Sequence, residues 1–312
     1  MTSGTRRSLK RRRCFRPVRL FAVRSVVVAV LLAAVAGAGS AQQAAPKRLL
    51  MLTHAGLYKH SSLGPAEAAV TAWGRNAGFE VTTLQGYLQD SSELDLSMVT
   101  AEYLAGFDGV LMMTNGNLPM DEGQRRALVD FVRNGGGFVG AHNAALTFYD
   151  YPEFGEMLGG YFRSAIQQNH LFVLRIEDPN HPATRMLGSS WPIVDELYRY
   201  GTAPWNASRP DENIDVLFGN RIPMGFSRDR VRVLMSLDTR ATDIEGLPDV
   251  EAGGDYPQSW VREFGQGRSF YTSLGHRDDI WTNDDVFRAH LVGGIRWALG
   301  LEQGDATPRG PR

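Results

Sequence analysis

Three of the seven histidines lie where a folded chain often does chemistry, at or just beyond the ends of predicted strands. His60 lies in a polar loop after the first apolar run, His142 follows a buried run, and His276 ends a late alternating run. Imidazole acts as a general acid or base near neutral pH and is a common ligand of Zn²⁺. The sequence therefore predicts acid–base or metal chemistry at these three histidines.

The other four histidines have simpler interpretations. His290 lies on the apolar face of a helical pattern and fits a core position. His54 fits a structural position in a loop. His170 begins a predicted strand and His181 precedes a proline that orders a turn, so structure and function stay equally open for both.

Charged side chains accompany the three histidines. If the chain is extended around Asp195 and Glu196, their side chains point to opposite faces, so at most one of them faces a site. A solvated strand edge is the competing interpretation of this pair.

Asp278 and Asp279 closely follow His276, and either carboxylate could orient its imidazole. Arg268 lies one strand length before His276. It fits either a turn at the start of a strand or a residue that positions a substrate.

Aromatic side chains are frequent near these positions. Flat apolar rings beside polar groups suit sugar faces, although core packing is the commoner use of any single ring. The rings concerned are Tyr149, Tyr151, Tyr161, Phe162, Trp191, Trp205, Trp260 and Trp281.

The first 41 residues have the order of a secretory signal: a basic start, an apolar run from Ser25 to Ala38, and small residues at a cleavage site. The apolar run is shorter than the about 20 residues of a membrane span, but an uncleaved anchor stays open. Arg12-Arg13 loosely matches a twin-arginine signal. We therefore expect export to the periplasm or beyond.

Removing this leader changes the charge of the chain. It holds nine of the 33 basic residues and none of the 34 acidic ones, so the remainder carries 24 basic against 34 acidic residues, a net charge of −10. Nucleic acids and anionic membranes reward clustered Lys and Arg. The composition therefore argues against both as partners.

Several kinds of catalytic centre are excluded by what the sequence lacks. The single cysteine, Cys14, leaves with the leader, so no thiol nucleophile or thiolate metal site remains. We find no nucleophile elbow of the Gly-x-Ser-x-Gly type, no His-Glu-x-x-His, no phosphate loop and no dinucleotide fingerprint. The protein is thus not expected to be a Cys or Ser hydrolase or to use a nucleotide cofactor.

The elements that must position these residues alternate between strands and helices. Apolar runs predict strands at 49–53, 79–83, 108–113 and 137–140, with helices between them that end at glycines. Further strands are predicted at 171–176, 231–237 and 269–274, followed by a helix over 286–298. This pattern predicts one α/β domain with a mostly parallel sheet, helices on both faces, and ligands beyond the carboxyl ends of the strands.

Ordered motifs between about residues 48 and 300 resemble the ThuA-like (trehalose utilisation) family, a relative of the class I glutamine amidotransferase fold, which is flavodoxin-like. The motifs are Tyr58-Lys59-His60-Ser61, Gly135 to His142, Gly159-Gly160 with Phe162, His181-Pro182, Asp195-Glu196-x-Tyr198, and Gly267-Arg268-x-x-Tyr271-x-x-x-Gly275-His276 with Trp281. The resemblance implies a domain over 48–300, with a polar tail at 301–312.

The resemblance also implies roles for residues. In the amidotransferases the nucleophilic Cys occupies a sharp turn after a strand. His142 stands at that turn here, so glutamine hydrolysis through a thioester is not available. His276 resembles the catalytic His of that fold, and Asp278 could take the place of its orienting acid.

Carbohydrate chemistry, including the handling of 3-keto sugars, is what the resemblance implies for function. We expect His142 and His276 to act as acid and base, with substrate contacts from His60, Glu196, Tyr198, Arg268 and Trp281. A variant uses a divalent metal, Zn²⁺ for example, held by His60, His142 and His276. The alternative is a periplasmic sugar-binding module without catalysis, and a homo-oligomer is open in either case.

Overall fold

The computed structural model describes residues 45–88, 93–201, 216–217, 220–221 and 225–310. The predicted leader, 1–41, and Trp205 lie outside these residues. Six helices are described: α1 Leu63–Ala77, α2 Ala101–Leu104, α3 Glu122–Arg133, α4 Pro152–Leu158, α5 Asp278–Asn283 and α6 Asp285–Ala298. Short 3₁₀ turns cover Gly86–Leu88 and His142–Ala145.

Fifteen strands are described among the same residues. They are β1 Lys47–Thr53, β2 Phe79–Gln85, β3 Gly109–Met113, β4 Asn115–Gly116, β5 Gly137–Ala141, β6 Leu146–Thr147, β7 Phe162–Ala165, β8 His170–Ile176, β9 Ser190–Asp195, β10 Tyr198–Tyr200, β11 Val216–Leu217, β12 Asn220–Arg221, β13 Arg232–Leu237, β14 Pro257–Phe264 and β15 Gly267–Thr272.

Nine of these strands form one sheet in the order β2-β1-β3-β5-β15-β14-β13-β8-β9. The strands from β2 to β15 in this order are parallel to one another, and those from β14 to β9 continue the sheet with antiparallel pairings. Both β5 and β15 therefore end at the same edge, which brings the residues that follow Ala141 and Thr272 close together.

Helices cover both faces of the sheet, and each face has its own apolar core. The core beneath α1 and α6 includes Val70, Phe270 and Leu291, whereas the core beneath α3 and α4 includes Val129 and Phe154. The prediction of a single α/β domain with a large, mostly parallel sheet and helices on both faces is confirmed. The sequence analysis did not predict the antiparallel extension.

The helix ends follow from local chemistry. Helix α1 ends at Gly78, whose φ of 85° is the left-handed conformation that glycine adopts without strain. Asp121 and Gln124 form a capping box at the start of α3. The side chain of Asp284 accepts hydrogen bonds from the first amides of α6, which fixes the entry of the helix that packs behind β15.

The polar segment after α6 packs on the domain. Ala306 is buried in the core beneath α6, and the carboxylate of Asp305 lies 2.7 Å from the guanidinium of Arg232. Among the described residues, no helix combines the length and the apolar character needed to cross a membrane.

Candidate functional site

His142 occupies a sharp turn at the carboxyl end of β5. It is the first residue of the 3₁₀ turn 142–145, and its φ of 45° lies in the left-handed region that non-glycine residues seldom adopt. Such strain persists only where the surrounding structure holds it, and it concentrates at functional sites. The turn projects a fully buried imidazole beyond the strand end.

Hydrogen bonds fix which ring nitrogen of His142 carries the proton. Nδ1 lies 2.6 Å from the carbonyl oxygen of Ser273, and a carbonyl only accepts, so Nδ1 is the N–H. Burial and the neighbouring His60 and His276 hold the pKa of His142 well below its usual range. Nε2 of the neutral ring therefore presents a lone pair, to which the hydroxyl of Tyr198 donates over 2.8 Å.

His276 follows β15 and faces the same space. Its Nδ1 lies 3.3 Å from Nε2 of His142 and 3.2 Å from Oε2 of Glu196. Burial alone would lower the pKa of His276, but the hydrogen bond with Glu196 and the nearby carboxylates raise it on balance. Two neighbouring imidazoles thus have pKa values that are shifted in opposite directions.

Asp195 and Glu196 divide two tasks between them. Asp195 ends β9, and its carboxylate accepts hydrogen bonds from the amides of Gly275 (2.8 Å) and Arg277 (3.2 Å), which flank His276. Burial raises the pKa of Asp195 to about 6. Glu196 turns instead to the histidines, so one residue of the pair holds the loop while the other faces the site.

His60 completes the group from the loop after β1. Its ring centroid lies 4.7 Å from that of His142 and 5.3 Å from that of His276, each edge to face. Burial and the proximity of His276 lower the pKa of His60 to about 4. The ring is therefore neutral at neutral pH.

A buried asparagine that the sequence analysis did not single out fixes the His60 loop. Asn115 accepts hydrogen bonds at Oδ1 from the amides of Leu57 (2.7 Å) and Tyr58 (3.2 Å), and its Nδ2 donates to the carbonyl of Tyr58 (2.7 Å). Tyr58 is 57% exposed, and its ring lies 4.7 Å from that of His60. An exposed aromatic ring on a fixed backbone thus stands beside the histidines.

The donor set fits a metal ion. One ligand atom from each of His60, His142, Glu196 and His276 lies within 4.8 Å of the others. His276 Nδ1 lies 3.2 Å from Glu196 Oε2 and 3.3 Å from His142 Nε2. The third separation, between His142 Nε2 and Glu196 Oε2, is 3.6 Å. Tetrahedral Zn²⁺ with bonds of about 2.0–2.1 Å needs ligand atoms roughly 3.3–3.4 Å apart. The backbone carbonyl on Nδ1 of His142 is also typical of a ligating histidine, so this group could hold a metal ion.

Arg268 lies at the other end of β15. Its guanidinium donates to the carbonyl oxygens of Trp297 (3.0 Å) and Glu302 (3.2 Å) and to Oε1 of Gln303 (3.0 Å). The strand runs from Arg268 toward His276, so the two residues mark opposite edges of the sheet. The expectation that Arg268 contacts substrate at this site is corrected: it ties the end of α6 to the sheet.

A cavity of about 800 Å³ opens at that opposite edge, lined in part by Lys47, Asp108 and Arg268. Its charged groups have partners within the fold: Lys47 Nζ lies 2.7 Å from the carboxylate of Asp108, and Arg268 binds carbonyls. The size of the cavity therefore does not make it a functional site. The side chains that could do chemistry lie at the edge of the sheet with His142 and His276.

Asp278 and Trp281 also differ from their expected roles. Glu196, not Asp278, contacts the ring of His276, while the exposed carboxylate of Asp278 accepts from Oγ of Ser61 over 2.6 Å. Trp281 is buried, and its Nε1 donates to the carbonyl of Gly275 over 3.0 Å. Asp278 thus joins two loops of the site, and Trp281 supports one of them from behind.

The aromatic residues near the site are largely core residues. Buried rings among those expected to face a sugar are Tyr149, Tyr161, Phe162, Trp191, Trp260 and Trp281.

Ser273 and Asn143 contribute to the site without having been predicted. Ser273 acts through its backbone carbonyl, which no side-chain pattern reveals, whereas Asn115 follows a strand end, so the strand-end rule could have found it.

The comparisons with known proteins agree with this fold. The sequence model of the ThuA family, described as trehalose utilisation, matches residues 48–298. A putative ThuA-like protein from Bacteroides uniformis is 22% identical, with a TM-score of 0.58 over 82% of this chain and 92% of that chain. One from Parabacteroides merdae is 20% identical, with a TM-score of 0.57 over 86% and 94%.

A cytoplasmic protein from Salmonella typhimurium is 9% identical, with a TM-score of 0.50 over 81% of this chain and 98% of that chain. No curated protein matches the chain. At these identities the solved structures support the fold, while the family match covers most of the sequence. The chain belongs to the ThuA, or trehalose utilisation, family.

Proposed function

We propose that the protein is an exported enzyme that processes 3-keto sugars or disaccharides with the group His60, His142, Glu196 and His276. The family description supports a role in carbohydrate metabolism. The observation that carries the proposal is the pair His142 and His276, whose facing nitrogens are 3.3 Å apart and whose pKa values are shifted in opposite directions. Such a pair supplies one base and one acid at the same pH.

A 3-keto sugar has an acidic C–H bond beside its carbonyl. In this proposal Nε2 of His142 takes the proton from C2, the bond between C1 and the glycosidic oxygen breaks, and protonated His276 gives its proton to the departing oxygen. The products are an alcohol and an unsaturated keto sugar, and water can add across the double bond of the keto sugar. Tyr198 donates to Nε2 of His142 before substrate binds, and its hydroxyl can then turn to a substrate oxygen.

The same atoms have a second use. The residues His60, His142, Glu196 and His276 would hold a divalent ion such as Zn²⁺, which when bound supplies a Lewis acid that polarises a keto oxygen. The lone pair on Nε2 of His142 either accepts a proton or binds the ion, so the two uses exclude each other at that atom. Metal dependence therefore decides between them.

The test is NMR of a plain disaccharide and its 3-keto form with residues 42–312, with and without chelator. We expect new products from the keto sugar alone. If product formation persists after chelation, His142 acts as the base. If product formation is lost, His142 acts as a metal ligand. His142→Asn, which tolerates the left-handed backbone, should abolish turnover. His170→Asn is the matched control, because the ring of His170 hydrogen bonds with the carbonyl of Asp243 and packs on Phe172 rather than on the proposed group.

A sugar-binding protein without turnover is the alternative, and the exposed ring of Tyr58 beside a buried polar group favours it. Broadening of the sugar signals without product would support this function. No broadening and no product would contradict both proposals.

A further inference from the structure

We infer that Asn143 is the positioning residue that determines which ring nitrogen of His60 carries the proton. The inference deepens the proposed function, because His60 belongs to the proposed group. Its test requires neither substrate nor metal, so it can fail while the proposed function stands, and the reverse also holds.

The ring of His60 makes one hydrogen bond within the described part of the chain. Nδ2 of Asn143 lies 3.3 Å from Nδ1 of His60. The other ring contacts of His60 are edge-to-face packing against Tyr58, His142 and His276. Packing of this kind can hold the plane of a ring, but it does not choose between two neutral tautomers. That choice falls to Asn143.

The direction of this hydrogen bond follows from the amide group. The NH₂ of an asparagine only donates, so Nδ1 of His60 must accept, and the neutral ring carries its proton on Nε2. If the amide were reversed, its oxygen would accept and Nδ1 would carry the proton instead. One side chain thus decides which nitrogen of His60 offers a lone pair and which offers an N–H.

The position of Asn143 makes it suited to this task. It is the residue after His142 in the same buried 3₁₀ turn, so the bend that places His142 also places this amide. Oδ1 of Asn143 is buried without a hydrogen-bond partner among the described residues. A buried acceptor without a protein partner is costly, and a catalytic or binding role is one of the reasons why such a group is retained.

The consequence is a defined role for His60. With Nδ1 occupied by Asn143, the ring presents Nε2–H and donates a hydrogen bond, as a sugar oxygen requires. Binding a metal through Nε2 instead requires the reversed amide, because a ligating nitrogen cannot carry a proton. Asn143 therefore sets whether His60 acts as a donor or as a ligand.

The test is long-range ¹H–¹⁵N correlation NMR of the histidine rings in metal-free residues 42–312 near neutral pH. We expect His60 to carry its proton on Nε2 in the natural chain. Asn143→Asp, which is nearly isosteric but only accepts, should move the proton to Nδ1. Asn143→Leu, which cannot hydrogen bond, should give a mixture of tautomers. The ring signals of His290 report whether each variant is folded.

A proton on Nδ1 in the natural chain, or the same His60 tautomer in the natural chain and in Asn143→Asp, would overturn the inference. Zinc affinity gives a second readout. Asn143→Asp should strengthen it, since the proton on Nδ1 frees Nε2. Asn143→Leu should strengthen it less, because only part of a mixture of tautomers offers the lone pair on Nε2. A purely structural role would weaken affinity in both variants.

Discussion

Two groups of buried histidines lie on the same fold and do different things. The group behind the sheet consists of His181 and His290. Nδ1 of His290 donates to the carbonyl of Ala183 (2.8 Å), and its Nε2 pairs with the hydroxyl of Thr272 (3.1 Å). In the group at the sheet edge, His142 and His276 point nitrogens at each other and at Glu196. His142 and His290 are both fully buried, so burial does not separate the groups; the partners of the ring nitrogens do.

This difference explains how histidines from the two groups, such as His60 and His290, can share a lowered pKa and still differ in use. Burial lowers the pKa of His290 and of His181 to about 4, as it does for His60. The hydrogen bonds of His290 saturate its ring, which leaves nothing to offer a ligand. Within the part of the chain that the structure describes, only the edge group brings several nitrogens and a carboxylate into one space.

The largest expected effect is on metal affinity, and it would sharpen the comparison. Glu196→Gln and His142→Asn each remove one of four proposed ligands. We expect each to weaken Zn²⁺ binding by about 1,000-fold or more, beyond the 10- to 100-fold of groups that only orient ligands. Competition against a chromophoric chelator measures this. His181→Asn, a change in the other buried group, should leave the affinity unchanged.

If His181→Asn weakened Zn²⁺ binding as much as Glu196→Gln, the distinction between the two groups would be wrong. If neither changed it, the edge group would not be a zinc site, and the acid–base use of His142 would gain support.

The next effect concerns His290 and the dependence of stability on pH. Its pKa falls from 6.5 in the unfolded chain to about 4 in the folded one. A depressed pKa of a base means that its full contribution is present above pH 6.5 and is lost as pH falls from there toward 4. The shift corresponds to about 3 kcal/mol over that window.

The measurement is the free energy of unfolding by urea at several pH values, for the metal-free chain and for His290→Gln. The variant is expected to be less stable at neutral pH, because it loses a packed ring, but its stability should fall less steeply below pH 6.5. An equal slope in both proteins would show that His290 is not kept neutral by the fold.

The third effect compares the two edges of the sheet. Arg268→Ala removes three hydrogen bonds at the opposite edge and the contact of the guanidinium with the ring of Trp297. We expect a loss of about 1–2 kcal/mol in the free energy of unfolding and no change in Zn²⁺ affinity. Arg268→Lys is the conservative control. A change in metal affinity without a loss of stability would place Arg268 at the site after all.

The case of Arg268 shows where sequence reasoning reaches its limit. The convergence of residues such as His142 and His276 follows from the rule that parallel strands end at one edge, which the pattern of runs supports. The same rule places Arg268, one strand length earlier, at the far edge, although the two residues are close in sequence. Proximity in sequence favours Asp278 as the partner of His276, but the contact comes from Glu196, which lies between β9 and β10.

The fold divides in the same way. The parallel half could be predicted because each strand and helix carries its own period and stop signal, as Gly78 does for α1. The antiparallel half carries a weaker signal: Gly265-Gln266 forms the two-residue turn of the hairpin between β14 and β15, but β9 and β14 each follow a long irregular segment that gives no pairing signal. Residues that act through the backbone, such as Ser273, are invisible to any side-chain pattern.

The smallest expected effect tests whether the edge group faces a sugar. The ring of Tyr58 is exposed, and hydrogen bonds with Asn115 fix the backbone of this residue. Stacking on a sugar therefore costs little backbone conformational entropy. Tyr58→Ala should weaken disaccharide binding by about fivefold, on the order of 1 kcal/mol, and Tyr58→Phe should retain it. NMR titration of the sugar measures both. Zn²⁺ affinity should not change, since Tyr58 offers no ligand atom to the group. Equal affinity in all three proteins would mean that the sugar approaches the histidines from another side, and the comparison between the two groups would then rest on metal and proton chemistry alone.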